Sequence, residues 1–191
     1  MSGSTAVPWW HRHPPGEWFA EYLRDLPPGR VDLIDGVVYV TPQNEWHSTL
    51  NRLLLNALSA LCPEDLHVTH EKSLAIGPKT RPEPDLIVTR VEPFIADPDR
   101  SVVMPSDVLL AVETVSPESE DRDRATKKAL YAQVGIPHMW LVERGEDRRP
   151  FVRVLTLSEG AYREAGVFTD QLTVPLPFPI TVDLAAITPR F

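Results

Sequence analysis

The sequence predicts an α/β fold, a mixed central β-sheet flanked by helices, and three observations predict it. The segment RVDLIDGVVYV sets Asp35-Gly36 between two apolar runs, a strong two-residue hairpin signal. An amphipathic pattern runs from Glu45 to Leu61. The apolar run DVLLAVETV is followed by a helical pattern and a second apolar run, HMWLVE, the order of a right-handed crossover between parallel strands.

The bulk properties agree with one globular unit. At 191 residues, with 42% hydrophobic and 24% charged residues, the chain can bury a substantial core as one domain over residues 16–191, behind a flexible leader over residues 1–15. No apolar stretch is long enough for a membrane span, and the N-terminus lacks the layout of a secretion signal, so a soluble, cytoplasmic protein without membrane association is expected. The single cysteine, Cys62, reads as a buried small apolar residue. A net charge of −8 argues against a surface that attracts nucleic acid as a whole, while a local basic rim stays compatible with it. The 20 prolines sit mainly in loops and at the two ends, the mark of many rigid turns.

Taken in order, a first helix is expected from Glu17 to about Leu26, where Pro27-Pro28-Gly29 breaks it. The Asp35-Gly36 hairpin comes next. In the Glu45–Leu61 helix, Leu50, Leu53, Leu54, Ala57, Leu58 and Leu61 form the apolar stripe, and Pro63 ends it. HVTHEKSLAI and PDLIVTRV read as strands joined by the polar loop from Gly77 to Pro82. Asp107 to Val115 is apolar enough for a central strand buried on both faces. A helix is expected from Ser119 to Val134, ended by Gly135-Ile136-Pro137, before the strand HMWLVE. FVRVLTL and AYREAGVF, around Glu159-Gly160, read as a second hairpin.

The chemistry lies in two carboxylates. Asp85 follows Pro84 at the start of one strand, and Glu113 sits near the end of the next. A lone charge on a buried strand is costly to desolvate, so it calls for a partner or a metal. On neighbouring strands the two would converge on a hard divalent cation such as Mg2+, whose water could attack a phosphodiester. Lys127, on the helix after the Glu113 strand, can bend back over the carboxylates; the alternative is a solvated lysine paired with Asp123 four residues earlier. Asp85 taken alone also suits a turn or a strand-start cap.

RPEPDLIV, LLAVETVSPES and DRATKKALYAQVGIPHMWLVE together resemble the short bacterial putative restriction endonucleases, a family of the PD-(D/E)XK nuclease superfamily. The resemblance spans about residues 17–187. Its most specific part combines E-x-x-S-P, a lysine four residues before a tyrosine, and G-I-P-x-x-W-L-V. The resemblance implies a restriction-endonuclease-like fold, a Mg2+ cofactor that Mn2+ can replace, and DNA as substrate. It places metal ligands at Asp85 and Glu113, with the backbone carbonyl of Thr114 as a further ligand. The superfamily's usual lysine position holds Val115 here, so the family's migrated lysine falls on Lys127. Asp32 takes the acidic position of the opening hairpin, where glutamate is commoner, and its shorter side chain reaches less far. Asp35 belongs to the turn. His47 matches a position where the family often carries histidine, as a contact to a phosphate or to Asp32; a local hydrogen bond at the helix start is the other reading.

Other residues invite blander readings. His67 and His70 point to opposite faces of a strand and cannot bind a metal jointly. Glu71 lies where it could approach the site across the sheet. Trp9 and Trp10 suit a partner-binding patch or a cover for the core edge, Trp140 suits the core, and Ser116 lacks the setting of a nucleophile. The expected function is a metal-dependent DNA endonuclease. A catalytically silent nuclease fold serving as a binding or scaffold module, and a nuclease acting on RNA, stand beside it. A homodimer is the natural form for cutting both strands of a duplex.

Overall fold

The structure is a computed structural model, described for residues 8, 12–26, 29–40, 44–116 and 122–191. Its centre is a six-stranded mixed sheet in the order β10-β9-β8-β7-β5-β3. The strands are β3 (Leu66–His70), β5 (Leu86–Arg90), β7 (Val108–Thr114), β8 (His138–Arg144), β9 (Pro150–Ser158) and β10 (Ala161–Phe168). β7 and β8 pair in parallel, and the other neighbours in this sheet are antiparallel. The connection between β7 and β8 carries helix α3, whose π-helical first part (Arg122–Lys127) continues as α-helix (Lys128–Gln133).

The expected α/β class therefore holds, and alternation along the strands explains its layers. Leu86 and Val88 of β5, and Leu110 and Val112 of β7, join Leu50, Leu54 and Leu58 of helix α1 (Glu45–Leu61) in one core cluster. The intervening Ile87 and Ala111 face the opposite side, where Tyr131 of α3, Ile136 and Met139 form a second cluster. Trp140 is fully buried, as expected. α1 begins where Asn44 caps it, its side chain accepting from the His47 amide at 3.0 Å.

The opening hairpin pairs β1 (Val31–Ile34) with β2 (Val37–Val40). Asp35 and Gly36 both have positive φ, at 50° and 75°, as a two-residue turn with matching twist requires. Thr80 Oγ1 bonds Asp35, which serves the turn as expected. Leu33 and Arg81 exchange backbone hydrogen bonds at 3.2 and 2.7 Å, which ties β1 to the loop before β5 and carries Asp32 toward Asp85. A Cβ on Gly36 would collide with the backbone of Gly16. Gly36→Ala is expected to cost about 1–3 kcal/mol through this collision and the left-handed φ. Gly77→Ala, with open space around its Cβ, is the control in the same denaturation series.

Several expectations need correction. The first helix is a short 3-10 turn, Ala20–Asp25, rather than a helix from Glu17. The segment HVTHEKSLAI does not run as one strand: Glu71 takes a φ of 54°, β3 stops at His70, and β4 (Ser73–Leu74) pairs instead with β6 (Val102–Val103). Cys62 is half-buried at the end of α1. Helix α2 (Glu92–Ala96) and the hairpin of β11 (Gln171–Val174) and β12 (Ile180–Asp183) were not anticipated. Trp9, Trp10 and most of residues 1–15 lie outside the described residues, although His13 stacks on Tyr22 at 4.3 Å. Among the described residues no helix is long and apolar enough to cross a membrane.

Candidate functional site

Strand register brings the two carboxylates together. Leu86 pairs with Val112, and extending that antiparallel register by one residue sets Asp85 opposite Glu113. Glu113, next in alternation after Ala111, points to the α3 side; Thr114 points to the α1 side, where its hydroxyl donates to Asn51 Oδ1 at 2.6 Å.

Asp85 is held by four donors. Arg30 and Asn51 Nδ2 (2.8 Å) donate to Oδ1, His47 Nε2 lies 2.6 Å from the same oxygen, and the Thr114 amide donates to Oδ2 at 2.7 Å. An ionised carboxylate only accepts, so His47 carries a proton on Nε2. Arg30 Nη2 also lies 3.5 Å from Glu113 Oε2 and donates to the Glu83 carbonyl at 2.6 Å.

Lys127 closes the other side. Its Nζ is 3.1 Å from Glu113 Oε2, 3.1 Å from Asp32 Oδ2 and 3.5 Å from Asp123 Oδ1, and the residue is only 1% exposed. Lys127 thus pairs with Asp123, yet it is buried against the carboxylates rather than solvated. Asp32 reaches far enough to hold Lys127 and to accept the Glu83 amide at 2.7 Å. Tyr131 OH donates to Glu113 Oε1 at 2.6 Å.

The electrostatics divide the two acids. Burial acts to raise the Asp85 carboxyl, but Arg30, the His47 hydrogen bond and Lys127 outweigh it and hold the group well below the usual carboxylate range. Glu113 moves the other way: burial, helped by Asp123 and Asp85, lifts its carboxyl above the ordinary value despite Lys127 and Arg30. Burial alone would lower the Lys127 ammonium, yet Glu113, Asp32 and Asp123 together raise it. Titratable groups pushed apart in this way are characteristic of functional sites. Tyr131→Phe deprives buried Glu113 of a donor, with an expected loss of about 1–3 kcal/mol in chemical denaturation.

The donor chemistry fits a hard divalent cation. Among the described residues no three His, Cys, Asp or Glu side chains are grouped to hold a metal ion. Mg2+ commonly needs only one or two carboxylates, completed by waters and substrate oxygens. Asp85 and Glu113 converge on one cationic position, which the Arg30 guanidinium takes in this structure.

Asp32, Asp85, Glu113, Thr114 and Lys127 are therefore brought into one cluster. His47 joins it through Asp85 rather than through Asp32. Glu71 is exposed on the rim of the adjoining cleft, and Val115 packs into the second core cluster. His67 packs on Phe94, with ring centroids 4.9 Å apart, away from the cleft that His70 lines. Sequence reasoning missed Arg30 and Asn51 and gave Tyr131 no contact. Helical spacing carries a signal for two of them: Asn51 stands four residues after His47, and Tyr131 four after Lys127. Arg30 stands two residues before Asp32, on the same side of an extended chain.

Fold and site together define an α/β protein of nuclease-like architecture. The fold is similar to the crystal structure of a putative nuclease belonging to DUF820 from Anabaena variabilis, with a TM-score of 0.66 at 15% identity, over 88% of this chain and 96% of that one. No curated protein matches the chain. Residues 19–186 match the model of the Uma2 family, described as putative restriction endonucleases, and the chain belongs to that family.

Proposed function

We propose that this protein is a metal-dependent endonuclease that hydrolyses DNA phosphodiesters at the Asp85–Glu113–Lys127 cluster. The observation that carries this reading is Lys127: a charged lysine, buried from a neighbouring helix, lies 3.1 Å from the second carboxylate of a converging pair. It stands in for the lysine that is missing at Val115, as in PD-(D/E)XK nucleases whose lysine has moved to the following helix.

Asp85 and Glu113 would hold Mg2+ or Mn2+, with the Thr114 carbonyl as a third donor. Thr114 turns its amide toward Asp85, and in an extended strand the carbonyl of the same residue faces the same edge. A bound divalent cation would supply Lewis-acid charge and a water acidic enough to attack phosphorus. Lys127 keeps its ammonium beside Glu113, where it orients the attacking water and offsets charge developing on the phosphate. Asp32 and Asp123 fix that ammonium from behind. His47 and Asn51, one turn apart on α1, hold the Asp85 carboxylate in place.

Two clefts flank the cluster and would give a nucleic-acid strand its basic contacts despite the negative net charge. Arg52 lines one, and Arg144 and Arg124, the latter ion-paired with Glu143, line the other. Plasmid nicking by purified protein with Mg2+ or Mn2+, run beside a matched RNA, tests the proposal. Metal-dependent nicking of DNA is expected; cleavage of RNA alone would change the substrate, and no cleavage of either would reject the activity. One observation favours a second reading, a nuclease fold kept as a binding module: three protein donors already crowd Asp85 Oδ1. Under that reading neither substrate is cut, and Asp85→Ala leaves metal affinity unchanged.

A further inference from the structure

A carboxylate offers about four acceptor positions. These are two on each oxygen, and on Asp85 three donors crowd Oδ1 while one takes Oδ2. A metal ion can take the place between Asp85 Oδ1 and Glu113 Oε2 only if the donor that bridges them leaves. His47 and Asn51 are fixed along α1, and the Thr114 amide is part of the β7 backbone. Arg30 differs in three respects. Its long side chain precedes β1 and remains 15% exposed, unlike the buried carboxylates that it bridges. It is the donor that reaches both Asp85 and Glu113, and so stands at the point where the two converge. It is also a cation, so a metal would replace it with charge of the same sign.

We propose that Arg30 is the resident counter-cation of the Asp85–Glu113 pair, and that a divalent metal enters by exchange with its guanidinium, which withdraws into the adjoining cleft. The inference rests on the metal-site reading above. Space and partners for the withdrawn group are at hand. Arg30 already forms part of the wall of that cleft, of about 340 Å³, together with Ser48, Arg52, Glu71 and Glu83. Glu71 and Glu83 offer carboxylates to receive the guanidinium there.

Exchange has a measurable signature. Whatever free energy holds Arg30 between the carboxylates is subtracted from metal affinity, so the apparent affinity is lowered by the fraction of molecules in which the position is free. Removing the guanidinium should weaken the metal-free protein and tighten the metal. Calorimetric titration of Mn2+ into wild type, Arg30→Met and Arg30→Lys, with thermal melts of each with and without Mn2+, tests this. For Arg30→Met the expected result is a lower melting temperature without metal, at least tenfold tighter Mn2+ binding and a larger upward shift on loading; Arg30→Lys should fall between it and wild type.

Equal or weaker Mn2+ binding by a folded Arg30→Met, with wild type binding normally, overturns the exchange and leaves the metal site standing. Absence of binding in wild type and every variant rejects the metal site itself, and the exchange with it. Should Arg30→Met fail to fold, the wild-type protein still decides. The guanidinium NMR signals of Arg30, assigned by their loss in Arg30→Lys, should change from those of a restrained group to those of a freely rotating one as Mg2+ is added. Signals that stay unchanged at saturating Mg2+ overturn the proposal.

Discussion

Asp85→Ala is expected to lower metal-dependent DNA nicking by on the order of 10³-fold or more, since roughly 4 kcal/mol of transition-state stabilisation is a modest share for a metal and its ligand set. Asp85 would supply one of the two carboxylates on the metal, and it is also the joint at which β5, β7, α1 and Arg30 meet. The variant keeps the neighbouring Leu86↔Val112 pairing, and Arg30 retains Glu113, so the sheet should survive. Far-ultraviolet circular dichroism separates lost chemistry from lost structure. Nicking that stays within about tenfold of wild type, in a folded variant, would remove Asp85 from the chemistry.

The second large effect is on stability. Lys127→Met removes the cation shared by Glu113, Asp32 and Asp123, all three of them buried. Leaving buried charges uncompensated typically costs about 3–5 kcal/mol. For a chain of this length that corresponds to a fall in melting temperature of roughly 6–20 °C. Part of the loss should return in the double variant Lys127→Met/Asp32→Asn, which carries one buried charge fewer. A single variant melting with wild type would mean that the four side chains are not coupled as the distances imply.

Local signals account for the parts of the fold that were legible in the sequence. α1 has the predicted bounds because Leu50, Leu54 and Leu58 repeat at helical spacing and Pro63 stops the pattern. Asp35-Gly36 announces the first hairpin because both residues tolerate the positive φ that its turn demands. β7 and β8 declare themselves by continuous apolar runs with strands on both sides. Elements decided by tertiary context were not legible. Leu172, Val174, Ile180 and Val182 alternate as buried residues of the β11–β12 hairpin, but the prolines between them mask the strand signal. Glu71 ends β3 in a left-handed conformation that no local residue pattern demands.

The site divides along the same line. Asp85 and Glu113 stand out in sequence as charges at the start and near the end of apolar runs, whereas Lys127, within the polar stretch DRATKK, and Asp32 follow from the family resemblance. Arg30 and Asn51 meet Asp85 across 55 and 34 residues of chain. Such contacts depend on how the hairpin and α1 dock on the sheet. The contact of His47 with Asp85, rather than with Asp32, depends on the same docking.

The most direct test of the central claim is a calorimetric titration of Mn2+ into wild-type protein and Asp85→Ala under identical conditions. The metal-nuclease account predicts saturable binding by the wild type and its loss in the variant. Equal binding by both would move the metal away from Asp85, and no binding by either would mean that the buried carboxylates serve the fold alone.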